Sequence, residues 1–192
     1  MRIIGIDPGS IVTGIGIIEY KKDKLSLVEF DSIKLNSKEP LSSRLKQIYD
    51  KCLKKIDRYK PDEFAIETAF YGKNIQSTLK LGQARGVAII AAVNANLKIS
   101  EYSPREVKKS VTGSGASSKQ QVRFMVKNIL SIKEDPLFMD STDALAVALC
   151  HYYFIEDCIK TGNLKRKRNN SKQKTWKDFV EKNPHRLIKT NK

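Results

Sequence analysis

Ile3-Ile4-Gly5-Ile6-Asp7-Pro8-Gly9-Ser10 is the stretch from which the fold class can be read. The apolar run through Ile3, Ile4 and Ile6 reads as a buried strand, and Asp-Pro-Gly-Ser as the turn that stops it. Val12 to Tyr20 continues as a second strand carrying Gly14 and Gly16. Leu25 to Leu35 makes a third after the polar Lys21-Lys22-Asp23-Lys24 turn, so the opening is an antiparallel meander.

Beyond the meander, helix and strand alternate. Leu41, Leu45, Ile48, Cys52, Leu53 and Ile56 recur at helical spacing, with Arg44, Lys51, Lys54 and Lys55 off that face. Pro61-Asp62 breaks this helix, and Glu63 to Glu67 is a short fourth strand. Ile75 to Asn96 reads as a long helix whose Gly82, Ala84, Gly86, Ala88, Ala91 and Ala92 permit close approach by another backbone. Lys98 to Tyr102 is the fifth strand. Ser103-Pro104-Arg105-Glu106 is a capping box opening a short helix that ends at Gly113-Ser114-Gly115. Ser118 and Gln121 form a second box before Val122, Met125, Val126, Ile129 and Leu130. After a break at Asp135-Pro136, Asp140 to about Asp157 is helical again, with Leu145, Val147, Ala148 and Leu149 as core candidates. The predicted class is α/β, a five-stranded mixed sheet with helices on both faces.

The 192 residues hold 36 Lys and Arg against 21 Asp and Glu, a net charge of +15. With 40% hydrophobic residues there is material for one core, which excludes a wholly disordered chain and a small disulfide scaffold. Residues 1–160 are expected to form one domain and 161–192 a basic, largely flexible tail, since residues 162–192 alone carry 11 cations against 2 anions. Trp176, Phe179 and Val180 fit one helical turn able to dock on the body or a partner. Cys52, Cys150 and Cys158 make no C-x-x-C pair and are expected to be reduced. No apolar run approaches the roughly 18 residues that span a bilayer, and the start lacks a signal-peptide layout, so a cytoplasmic protein without membrane contact is expected.

Function turns on acids placed where a core should be apolar. Asp7 ends the first strand and Glu67 the fourth; if these strands are parallel neighbours, both carboxylates emerge at the carboxyl end of the sheet. Asp140 and Asp143, three residues apart at the start of the last helix, share a face. Four converging carboxylates repel, and a divalent cation such as Mg²⁺ is the natural compensation. Singly, each has a plainer reading: Asp7 as a turn former, Glu67 as a strand-end charge, Asp140 as an N-cap and Asp143 as a partner of the helix dipole. Their joint placement favours a site.

Ile4-Gly5-Ile6-Asp7-Pro8-Gly9-Ser10, Ala65-Ile66-Glu67, Leu79-Lys80-Leu81-Gly82-Gln83-Ala84-Arg85-Gly86 and Asp140-Ser141-Thr142-Asp143-Ala144-Leu145-Ala146 together resemble the RuvC-type Holliday junction resolvases of bacteria, in order, over nearly all of residues 1–155. The resemblance implies an RNase H-like fold, a homodimer, and Mg²⁺-dependent paired nicking of a four-way DNA junction during recombination and repair. Two Mg²⁺ ions per active site, replaceable by Mn²⁺, would take Asp7, Glu67, Asp140 and Asp143, the family's four carboxylate positions. A branch-migration motor of the RuvA–RuvB type is the implied partner on the junction. The extension after about residue 160 is longer than in many relatives.

On that resemblance Lys108 and Lys119, flanking the Gly113-Ser114-Gly115 loop, match lysines of DNA binding and cleavage. The flexible loop backbone itself is expected to approach DNA. Solvated helix charge is the alternative, favoured for Lys109. Phe70 matches the family's aromatic near the junction centre, where stacking on a base competes with simple packing; Tyr71 is left undecided. His151 is read as structural. Two other functions stay open: a non-catalytic DNA-structuring protein, favoured by charge alone, and an RNase H-like nuclease for another nucleic acid. An actin-like ATPase loop is the weaker alternative for Asp-Pro-Gly-Ser, since no room remains for a second phosphate-binding domain.

Overall fold

The computed structural model describes residues 1–68, 74–133 and 139–161, with the side chains of residues 139 and 140 outside that description. The order is β1 (Arg2–Asp7), β2 (Val12–Lys21), β3 (Lys24–Lys34), α1 (Leu41–Tyr59), β4 (Glu63–Glu67), α2 (Ile75–Asn94), β5 (Lys98–Tyr102), α3 (Pro104–Thr112), α4 (Lys119–Ile129) and α5 (Met139–Lys160). The chain divides into two compact units, Met1–Ile155 and Glu156–Lys192. Of the second, residues 156–161 are described; they close a helical turn in which Lys160 pairs with Glu156 at 2.9 Å. Trp176, Phe179, Val180 and the basic run lie outside the described residues.

The sheet runs β3-β2-β1-β4-β5, antiparallel through the meander and parallel from β1 to β4 to β5. Strand parity sorts β1 and β4 into two faces. Ile4, Ile6, Phe64 and Ile66 point to one side, where Ile48, Cys52 and Ile56 of α1 and Ala84, Ala88, Ala91 and Ala92 of α2 complete a core. Ile3 and Ala65 face the other, against Val107 and Val111 of α3, Val122 and Val126 of α4, and Leu145 and Leu149 of α5. Each fully buried aliphatic side chain of this kind contributes about 1.5–3 kcal/mol.

Both predicted capping boxes form: Ser103 accepts from the Glu106 backbone and Ser118 from that of Gln121, and the Glu106 and Gln121 side chains accept in return from the Ser103 and Ser118 amides. They fix the starts of α3 and α4, and with them Lys108 and Lys119. Cys52 and Cys150 are buried and free, and burial pushes their thiols up to about 12 and about 11. Among the described residues no helix is long and apolar enough to cross a membrane.

Arg44, off the apolar face of α1, is nevertheless buried. One expectation needs correction. The Gly113-Ser114-Gly115 loop is tied rather than loose: Thr112 Oγ1 meets the Ser117 hydroxyl at 2.8 Å and donates to the Ser114 carbonyl at 3.0 Å. Gly113 takes φ +80° as the cap of α3, and a side chain at Gly115 would strike Arg105 Cγ at 2.5 Å. These glycines serve local conformation and packing.

Candidate active site

Asp7 and Glu67 come together because of register. Gly5 pairs with Ala65 and Ile6 with Ile66, so the next residue of each strand is an acid at the same edge. Parity turns both toward the α5 side. The backbone beyond Glu67 is held by β5, Thr68 N–H donating to the Tyr102 carbonyl at 2.8 Å.

Asp143 arrives from α5, which lies unusually close to the sheet. Gly5 and Gly16 are cross-strand partners, and a Cβ on Gly5 would stand 2.3 Å from the Ala144 carbonyl oxygen, one on Gly16 2.7 Å from the Leu145 amide. Only glycines leave room for the helix backbone there. Sequence reading placed Gly16 on a strand without drawing this consequence; paired glycines inside apolar strands were the available signal.

Asp7, Glu67 and Asp143 line a pocket of about 230 Å³ with Lys108, Lys119, Pro104, Val107, Val122 and Ala146. Val107 and Val122 form apolar walls, and burial, helped by the negative charge of Asp143, lifts the Glu67 carboxyl from 4.5 to about 7. Lys119 and Lys108 oppose that rise. Lys119 Nζ lies 2.8 Å from Asp143 Oδ2 while remaining more than half exposed, 58% against 18% for the acid. The site thus holds one carboxyl, Glu67, that resists carrying charge beside Asp143, and a half-exposed ammonium, Lys119, that partly neutralises the pair.

The structure therefore brings together five of the residues singled out in the sequence: Asp7, Glu67, Asp143, Lys108 and Lys119. Asp140 lies in the first turn of α5, one helical turn before Asp143, with its side chain outside the described residues; Phe70 and Tyr71 also lie outside them. Lys109 does not line the pocket. His151 is buried, its Nδ1 2.8 Å from the Tyr102 hydroxyl, as a structural residue would be. A larger cavity of about 670 Å³ lies between α1 and the end of α2, but its acids Asp50 and Asp57 are each ion-paired with a lysine, Lys46 and Lys60.

A family model described as crossover junction endodeoxyribonuclease RuvC matches residues 3–151. The chain belongs to the RuvC family. A RuvC of Chloroherpeton thalassium is 45% identical over 189 residues, covering 98% of this chain and all of the relative. Among solved structures, Thermus thermophilus RuvC in complex with Holliday junction substrate superposes with a TM-score of 0.77 at 32% identity, over 82% of this chain and 96% of that one. The yeast mitochondrial Holliday junction resolvase shares the fold alone, at TM-score 0.55 and 12% identity over 83% of each chain. The α/β architecture is the RNase H-like fold of RuvC proteins, with the acid-lined pocket at the carboxyl end of β1 and β4.

Proposed function

We propose that this chain is a metal-dependent, structure-selective endonuclease that resolves four-way DNA junctions by paired symmetric nicks in recombination and repair. The observation that carries this is the convergence of Asp7, Glu67 and Asp143 with Lys108 and Lys119 in one pocket of a RuvC-family chain. Carboxylates arranged to repel one another oppose phosphate unless a cation joins them, which disfavours a purely DNA-structuring protein.

The donor set fits a hard divalent cation. All donors are carboxylate oxygens, and Glu67, forced toward neutrality by burial and Asp143, regains its charge when a cation arrives. Among the described residues no three of these groups close on a single point, and Lys119 supplies the positive charge at Asp143 instead. Asp7, Glu67, Asp140 and Asp143 are the residues we assign to Mg²⁺, two ions per site with Mn²⁺ able to substitute. When bound, the metal supplies activation of water and stabilisation of the leaving oxygen.

The remaining work belongs to the chain. Lys108 and Lys119 attract the phosphate, Lys119 exchanging its Asp143 partner for a phosphate oxygen. Val107 and Val122 exclude bulk water from one wall. Phe70 is assigned to stacking at the junction centre.

Two symmetric nicks need two sites, and α2 offers a seam for a homodimer. Its alanines pack inward, whereas Ile75, Leu79, Ile90 and Val93 are exposed along the outer face with Gly82 and Gly86, beyond whose Cβ positions the structure is open. Residues 1–160 carry the activity and 161–192 extend it as a basic segment. Family membership supports work in the cytoplasm alongside a branch-migration motor on the same junction.

The test is a synthetic four-way junction beside a matched linear duplex, with Mg²⁺ or EDTA and with Asp7→Asn. Paired nicks in the junction alone, absent with EDTA or the variant, are expected. Tight junction binding without cleavage by the unaltered chain would overturn the nuclease reading, and preferential cutting of an RNA–DNA hybrid would overturn the substrate.

A further inference from the structure

Arg44, the fourth residue of α1, is only 6% exposed, yet among the described residues no carboxylate pairs with it. A buried guanidinium without a counter-charge is costly, and here it also stands near the positive end of a helix. Its Nε is buried without a hydrogen-bond partner. The hydrogen bond it makes runs from Nη1 to the Ser10 carbonyl at 2.7 Å, across 34 residues of sequence.

Ser10 belongs to the turn that leaves Asp7, and the rest of that turn is tied from the β2 side. The buried Thr13 hydroxyl donates to the Gly9 carbonyl at 2.7 Å and accepts from the Gly9 amide at 3.2 Å. A Cβ at Gly9 would meet the Val12 carbonyl oxygen at 1.9 Å, so the turn has no slack on that side. Leu35 N–H, donating to the Ile11 carbonyl at 2.8 Å, closes the loop end. Arg44 is the tether from the helical layer, and the other ties come from the sheet. Unfavourable burial of this kind persists where it fixes a functional geometry.

We propose that Arg44 is a positioning residue that holds the Asp7–Ser10 turn, and through it the Asp7 carboxylate, in the geometry the metal site requires. The proposal rests on the assignment of Asp7 as a metal ligand. A planar guanidinium suits the role because its orientation is fixed by its own plane, whereas a lysine ammonium on a flexible stem fixes neither direction nor distance.

The experiment compares the full chain with Arg44→Met and Arg44→Lys by four readouts: melting temperature, junction affinity in EDTA, Mn²⁺ binding by electron paramagnetic resonance, and single-turnover cleavage. Amide exchange over residues 8–13 is followed in parallel. Arg44→Met is expected to bind the junction within about twofold of the unaltered chain, as its change lies in ligand geometry. Its Mn²⁺ affinity is expected to fall about tenfold or more and its cleavage by a similar factor, with faster exchange in the turn. Arg44→Lys should show the same changes, smaller, at an unaltered melting temperature.

Unchanged Mn²⁺ affinity and turn exchange in a folded Arg44→Met protein would overturn the proposal. If Arg44→Met does not fold, Arg44→Lys decides: shifted Mn²⁺ affinity supports it and unshifted affinity overturns it. Failure of the unaltered chain to cut junctions would strike the resolvase reading instead, leaving Mn²⁺ binding and amide exchange as the test of Arg44.

Discussion

Gly5 on β1 and Gly16 on β2 face each other across the first hairpin, and together they form the floor on which α5 rests. The distance of Asp143 from Asp7 and Glu67 is thus set by the absence of two side chains. Gly5→Ala should be destabilising by about 1–3 kcal/mol through overpacking, because its Cβ meets helix backbone and not the end of a flexible side chain. Cleavage should fall further than the loss of folded protein explains, as α5 is pushed outward with its acids. Denaturant melts beside single-turnover cleavage check this, and an unchanged melt would show that the close contact has slack.

Glu67 gives a pH signature. Its folded carboxyl titrates near 7 against 4.5 for the free group, so between those values the folded, metal-free protein keeps a proton that the unfolded chain has released. Its contribution to stability is therefore full below pH 4.5 and lost as pH rises through 7. Glu67→Gln should melt like the unaltered chain near pH 4.5 and above it at pH 8, by at most on the order of 3 kcal/mol. Mg²⁺ at pH 8 should stabilise the unaltered chain and do little for the variant. Equal melting of the two at pH 8 without metal would contradict the burial of this acid.

Lys119 lowers the Glu67 value and pairs with Asp143. Lys119→Ala should slow cleavage by about tenfold to a thousandfold, the usual consequence of losing a donor to the reacting group. It should also move the acid limb of the pH–rate profile upward, since an opposing positive charge has gone. A merely solvated lysine would leave both the rate and the limb in place.

What sequence could show follows the range of the forces involved. The strands, the two capping boxes and the placement of Asp7 and Glu67 were legible because periodicity and capping act over a few residues, and adjacency of two parallel strands did the rest. The burial of Arg44 was not legible because its partner, the Ser10 carbonyl, lies 34 residues away and leaves no local mark. The Gly113-Ser114-Gly115 loop was read as loose because the Thr112–Ser117 bond that ties it depends on the tertiary path between α3 and α4. Phe70 and the side chain of Asp140 lie outside the described residues.

The long helix shows a third case, in which composition blurred two functions that geometry separates. Gly82 and Ala84 are two residues, or about 200°, apart on a helix, so the stripe of small residues is really two faces. Ala84, Ala88, Ala91 and Ala92 are fully buried against the sheet, whereas Ile75, Leu79, Ile90 and Val93 remain exposed beside the two glycines. Exposed large side chains at intervals of three and four residues, interrupted by glycine, suit a second helix crossing closely. Leu79→Glu should therefore give monomers by sedimentation velocity while leaving the melting transition of each protomer cooperative. The monomers should nick one strand of a junction at a time, so that paired nicks fall much more than total nicks. A Leu79→Glu protein that sediments as a dimer would move the seam away from α2.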